Sequence, residues 1–156
     1  MKIIFVDVDG VLNCEKTTKR LKVNYEFFFV DTCKVLRLRD IVERTGAKLV
    51  LSSTWRLGAD PKAFYIEREA LRELVAEFRR VRCPLWFDVT PYLPHAKRWQ
   101  EINAWLTLHP EVDEYIILDD LGEDEFRPMM DHLVKCDSRK GLIKERAELA
   151  ISLLNK

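Results

Sequence analysis

Apolar residues in this chain gather in short runs that stop abruptly at acidic or hydroxyl pairs. Ile3-Ile4-Phe5-Val6 is branched and aromatic, reads as a buried strand, and stops at Asp7-Val8-Asp9-Gly10. Ala47-Lys48-Leu49-Val50-Leu51 predicts a second strand, ending in Ser52-Ser53-Thr54-Trp55-Arg56, and Glu114-Tyr115-Ile116-Ile117-Leu118 a third, ending in Asp119-Asp120. Pro84-Leu85-Trp86-Phe87-Asp88-Val89 and Leu133-Val134-Lys135-Cys136 predict two more. Between these runs the period changes to that of a helix. Asp31 is placed to cap a helix to about Thr45, with Val35, Leu38, Ile41 and Val42 on one face and Gly46 as its stop. Asp60-Pro61 predicts the next helix start, with Phe64, Leu71, Leu74, Val75 and Phe78 as its apolar stripe. A third helix is predicted from about His95 to Leu108, burying Trp99, Ile102, Trp105 and Leu106. The last would bury Ile143, Ala147, Ala150, Ile151 and Leu154.

Strands alternating with helices imply an α/β fold, a Rossmann-like three-layer sandwich with a central parallel sheet covered on both faces. In such sheets ligands sit at the carboxyl ends of the strands, where the strand order reverses. Asp7, Ser52 and Asp119 all fall at predicted carboxyl ends. Asp7 and Asp9 are two apart, so on a strand both side chains would emerge on the same side, and Gly10 lets the chain turn sharply behind them. Paired acids at a buried strand end are costly unless they hold a cation or do chemistry. Plainer roles exist for each of the other candidates. Ser52 and Ser53 could satisfy turn backbone groups, Lys97 and Arg98 could be solvated helix charges, and Asp119 and Asp120 could be acids of a turn.

Composition narrows the picture a little. A length of 156 residues fits a single domain spanning 1–156. With 26 basic and 26 acidic side chains the chain carries no net field that would mark a general polyanion binder. The local run Lys16-Thr17-Thr18-Lys19-Arg20-Leu21-Lys22, followed by Tyr25 and Phe27-Phe28-Phe29, is different. It is either a small flap at about 13–30 that touches phosphates and stacks on a base, or a solvated basic turn leading into a core-packed stretch. Cys14, Cys33, Cys83 and Cys136 are scattered without a Cys-x-x-Cys pair, which argues against a zinc site or a disulfide scaffold and for reduced thiols. His95, His109 and His132 lack metal-ligand spacing, and Glu123-Asp124-Glu125 reads as a solvated loop. The apolar run after Lys2 meets Asp7 too soon for a secretory leader. No stretch approaches the roughly 20 apolar residues of a membrane span, so a cytoplasmic protein is expected.

The ordered set of Asp7-x-Asp9-Gly10-Val11, a strand-terminal Ser52, a basic residue at a helix start and Asp119-Asp120 resembles the haloacid dehalogenase (HAD) superfamily. Val11-Leu12-Asn13, Leu51-Ser52-Ser53-Thr54-Trp55-Arg56 and the run from Glu101 to Asp120 are most similar to small HAD-like domains, including those attached to RNA-repair proteins. The resemblance spans most of the chain, although Trp99 stands where those sequences commonly have a glycine. It implies a Mg²⁺-dependent phosphatase without a large cap domain, since neither 13–46 nor 56–95 leaves room for one. Asp7 would attack the phosphoryl group to form an aspartyl-phosphate, and Asp9 would protonate the leaving oxygen and then activate water. Ser52, with Lys97 or Arg98, would hold phosphoryl oxygens. Mg²⁺ would be held by Asp7, the Asp9 backbone carbonyl, and Asp119 or Asp120. An open site suits a bulky phosphorylated substrate such as a polynucleotide end. A nucleotide or other small phosphoester is the enzymatic alternative, and a non-catalytic phosphate-binding module the alternative of another class. A receiver-type signalling domain would place its acids in a different order.

Overall fold

The computed structural model describes residues 1–17 and 29–156. Five strands form one all-parallel sheet: β1 (Lys2–Val6), β2 (Lys48–Leu51), β3 (Asp88–Val89), β4 (Glu114–Asp119) and β5 (Leu133–Lys135). Its order is β3-β2-β1-β4-β5, so the chain moves outward from β1 to β3 and then crosses back to the other side of β1. The strand order therefore reverses between β1 and β4, where the open α/β architecture leaves a crevice. This is the α/β layout expected of a Rossmann-like HAD fold, and no large cap stands among the described residues.

Strand parity sends alternate residues to opposite layers. Ile4, Val6, Leu49, Leu51, Ile116 and Leu118 pack against three helices, α1 (Thr32–Thr45), α2 (Tyr65–Arg80) and α4 (Lys144–Leu154). Ile3, Phe5, Val50 and Ile117 face the other way, onto Ile102 and Trp105 of α3 (Arg98–Thr107) and onto Phe126 and Met129. Continuing that second parity past the ends of β1 and β2, and to the last residue of β4, puts Asp7, Ser52 and Asp119 on the α3 side. Backbone bonds extend the ladder to hold them there: Asp7 N–H donates to Leu118 O (3.0 Å) and Ser52 N–H to Val6 O (3.0 Å).

Helix α1 follows its sequence signals. The Asp31 carboxylate accepts from Cys33 N–H, and Gly46 closes the helix in the left-handed region at φ 69°. Helix α2 does not begin at Asp60. Thr54–Ala59 form a 3-10 turn, the Asp60 carboxylate accepts from Lys62 N–H (2.7 Å), and the helix starts at Tyr65, where Glu67 folds back onto Phe64 N–H (2.9 Å). Phe64 thus precedes the helix and is 76% exposed rather than part of the stripe. Helix α3 starts at Arg98, not near His95, because His95 has φ 62° and cannot continue a right-handed helix. The strand predicted from Pro84 reduces to Asp88–Val89, because Phe87 is the first residue there to donate to β2, at Leu49 O (2.7 Å). Most of the predicted flap, residues 18–28, lies outside the described residues. All four cysteines are free thiols. No helix among the described residues is long and apolar enough to cross a membrane.

Candidate active site

Asp7, Asp119 and Asp120 each bring a carboxylate oxygen to one point, all within 4.8 Å of one another. Asp7 and Asp119 are buried and Asp120 is half-buried. Gly10 makes room for this cluster. Its φ of 69° is left-handed, and a Cβ there would lie 2.1 Å from Asp120 Oδ2. Burial raises the pKa of all three acids. For Asp7, burial outweighs the lowering by Arg98 and by the hydrogen-bonding Ser53 hydroxyl, with Asp9 adding to the rise. Asp119 is pushed up to about 8 by burial and then by Asp7. Asp119 Oδ1 accepts from Leu121 N–H (3.0 Å), whereas its buried Oδ2 has no hydrogen-bond partner among the described residues. Three converging carboxylates with an orphaned buried oxygen are an oxygen-rich donor set that fits a hard divalent cation.

The predicted candidates separate clearly. Arg98, the first residue of α3, lies against the carboxylates, with Nε 3.7 Å from Asp119 Oδ2. Its Nη1 donates to the Ser52 carbonyl and to Glu101 Oε2. Lys97 points elsewhere: its Nζ donates to the Asp124 carbonyl (3.0 Å) and its side chain is half exposed. Ser52 is fully buried with its Oγ free of hydrogen bonds among the described residues, while Ser53 Oγ accepts from Trp55 N–H (3.3 Å). The Asp9 carboxylate is not one of the three converging acids. Asp9 Oδ2 accepts from the Trp55 indole N–H (2.8 Å) and Oδ1 from the Asn13 amide (2.8 Å), whose own Oδ1 accepts from Gly10 N–H. Asp9 is thus aimed by its neighbours and left exposed at the mouth of the site.

Three of the residues that shape the site carry no role in the sequence reading. Trp55 and Asn13 orient Asp9, and nothing in a local pattern ties Trp55 to an acid 46 positions earlier. Glu101 receives Arg98 (3.1 Å), Arg56 Nη2 (2.9 Å) and Leu93 N–H (3.1 Å) on one buried carboxylate. Its signal was present as the i, i+3 spacing from Arg98. Arg56 does not reach the open site. It is buried, paired to Glu101, and donates to the carbonyls of Ser52, Ser53, Thr90 and Pro91. The acidic stretch forms a 3-10 turn, Glu123–Glu125, in which Glu125 Oε2 accepts from Arg98 N–H (3.0 Å) at the start of α3. His109 stacks on Trp105 and His132 on Tyr115, away from the carboxylates.

A family model described as the HAD domain in Swiss Army Knife RNA repair proteins matches residues 3–147. The chain belongs to this HAD family. The match spans the whole carboxylate cluster, from Asp7 just after β1 to Asp120 after β4. HAD domains are mostly hydrolases and usually use Mg²⁺, which the carboxylate cluster of this one fits. No curated protein and no solved structure gives a significant match.

Proposed function

We propose that this HAD domain is a Mg²⁺-dependent phosphomonoesterase that works through an aspartyl-phosphate on Asp7 and acts on phosphorylated nucleic-acid ends. The observation that carries the reading is the meeting of Asp7, Asp119 and Asp120 beside Arg98, with Asp119 Oδ2 and Ser52 Oγ buried and without a hydrogen bond among the described residues. A buried polar atom without a partner is costly in a protein interior, and a phosphoryl group and its cation would satisfy both.

Mg²⁺ bound by Asp7, Asp119 and Asp120 would neutralise charge between these carboxylates and the phosphate. A carboxylate oxygen of Asp7 attacks phosphorus, the bond to the ester oxygen breaks, and Asp9 gives that oxygen its proton. Asp9, left as a carboxylate, then accepts a proton from the water that attacks the aspartyl-phosphate, which frees inorganic phosphate and restores the Asp7 carboxylate and the protonated Asp9. Arg98 and the Ser52 hydroxyl hold the phosphoryl oxygens as charge builds on them. Trp55 and Asn13 keep the Asp9 carboxylate turned toward the leaving group. The absence of a large cap among the described residues, and the RNA-repair proteins in which the family's domains occur, support a polymeric substrate.

The test is phosphate release from p-nitrophenyl phosphate, nucleotides and 3′- or 5′-phosphorylated oligonucleotides. Turnover should require Mg²⁺, stop with EDTA and be lost in Asp7→Asn, with an oligonucleotide the preferred substrate. A preference for free nucleotides would make the domain a nucleotidase. No turnover from folded, Mg²⁺-binding protein would make it a phosphate-binding module.

A further inference from the structure

A concave feature of charge opposite to the carboxylate cluster is built from the loops that follow β1 and β5 and from α1. A groove of about 670 Å³ is lined by Lys16, Lys34, Arg37, Arg139 and Lys140, against one carboxylate in its lining, Glu15. In a chain whose total charges balance, five cations around one groove are a local concentration.

The backbone builds this groove from distant segments. The loop after β5 closes on itself through an Asp137–Gly141 bridge and docks on the loop after β1. Glu15 N–H donates to Ser138 O (3.2 Å), Lys16 N–H to Arg139 O (3.4 Å) and Leu142 N–H to Val11 O (2.8 Å). Gly141 has φ 64°, and a Cβ there would lie 2.8 Å from Lys34 Cε, so the glycine leaves the passage through which the Lys34 stem runs.

Lys34 is the informative member. It is only 8% exposed, and its ammonium forms no hydrogen bond or ion pair among the described residues, although its backbone N–H donates to Asp31 O (2.9 Å). It also sits in the first turn of α1, where the helix dipole disfavours a cation. Its stem is covered while its ammonium is not among the buried unpartnered atoms, so a long side chain is held along the protein with its charge delivered to the groove. Lys16 and Lys140 likewise form no ion pair among the described residues, whereas Arg139 is bound to Asp137 (3.0 Å) and Arg37 gives Nη1 to Leu142 O (2.9 Å). The groove is continuous in the chain with the loop that holds Asp9. Its wall starts at Cys14, directly after Asn13, whose amide holds Asp9.

We propose that this groove binds the phosphodiester backbone of a polynucleotide whose terminal phosphate is presented to Asp7. The proposal rests on the nucleic-acid reading above and gives it a subsite outside the carboxylate cluster. Lysines and arginines bind phosphodiesters without reading sequence, so the groove would hold strands by charge and orient their ends.

The experiment measures binding of a fluorescein-labelled single-stranded oligonucleotide by anisotropy over a range of salt, in EDTA so that nothing is cleaved. It is paired with kcat/KM on p-nitrophenyl phosphate in Mg²⁺. The double variant Lys16→Gln/Lys140→Gln removes two charges whose ammonium groups hold no ion pair among the described residues. Oligonucleotide affinity should fall roughly tenfold, and the slope of log K against log salt should shrink by about 1.4, because each phosphate of a single strand that a lysine neutralises adds about 0.7 to it. Activity on p-nitrophenyl phosphate should stay within about twofold. Unchanged affinity and slope would overturn the proposal, as would an equal loss of binding to a mononucleotide. If the wild type hydrolyses p-nitrophenyl phosphate but binds no oligonucleotide, the groove fails and the phosphatase stands. Groove-dependent binding without hydrolysis of any ester would sink the phosphatase and leave the groove.

Discussion

Asp7 and Asp9 stand two residues apart, yet they meet different surroundings. Asp7 is buried among acids beside Arg98, whereas Asp9 is exposed and held by two donors. That division suits a nucleophile and a proton carrier. Trp55→Phe keeps most of the buried ring and removes one donor to Asp9. Hydrogen bonds to charged groups are worth ~1.5–3 kcal/mol, so kcat on a phosphoester should drop by about tenfold or more while KM changes little. An unchanged kcat would show that Asp9 needs no indole to aim it. Gly10→Ala would place a methyl on Asp120 Oδ2 at a left-handed φ. It should weaken Mg²⁺ binding by at least tenfold in a calorimetric titration; unaltered affinity would remove Asp120 from the ligand set. The two acids and the glycine were legible from residue spacing, because strand period and turn chemistry act locally. Trp55 as a partner of Asp9 was not, since that bond joins two loops whose approach depends on the whole β1–β2 register.

At the level of elements, the start of α3 decides which cation enters the site. The sequence left Lys97 and Arg98 equivalent, because adjacent residues differ only in which way the first helical turn faces. Glu101 and Glu125 settle it by receiving Arg98, and Lys97 is drawn to Asp124. Arg56 braces the same carboxylate from β2's end, joining Glu101 to four backbone carbonyls. Arg56→Met leaves Glu101 with fewer partners in a buried place, and breaking such a pair costs ~3–5 kcal/mol. The urea midpoint should fall accordingly, and kcat should fall with it as Arg98 loosens; a midpoint within error of wild type would contradict the bracing role. The α2 start was misjudged for a related reason. Asp60-Pro61 is a sound cap signal, but the 3-10 turn carrying Trp55 and Arg56 occupies the preceding residues and delays the helix to Tyr65.

For the whole molecule, the site is a source of instability that a bound cation would relieve. Burial and Asp7 hold Asp119 at about 8, far above the ordinary carboxylate value of 3.8. Between those two pH values the folded, metal-free protein binds more protons than the unfolded chain, so its stability falls as pH rises through that window. Differential scanning calorimetry in EDTA should show a lower Tm at pH 8 than at pH 5, with Mg²⁺ raising Tm more at pH 8. The same Mg²⁺ increment at both pH values would contradict this. Asp119→Asn removes one repelling charge and should raise the metal-free Tm at pH 8 by about 2–4 °C, the shift ~1 kcal/mol gives in a domain of this size, while abolishing the response to Mg²⁺. The parallel sheet and its carboxyl-end site were legible because alternating periods and short connections leave few topologies. The basic groove was only half visible, as Lys16 in a charged run, because Lys34, Arg37, Arg139 and Lys140 reach it from elements far apart in the chain.

The central claim is that Asp7 carries the phosphoryl group, and the most direct test is to trap it there. Rapid mixing of the protein with Mg²⁺ and a phosphorylated oligonucleotide, quenching during turnover with borohydride, and mass analysis of the peptide bearing Asp7 would report the acyl-phosphate as a carboxyl reduced to a primary alcohol. The account predicts reduction at Asp7 alone, dependent on both substrate and Mg²⁺. Turnover with no reduced residue, or reduction at Asp9, Asp119 or Asp120 instead, would contradict it.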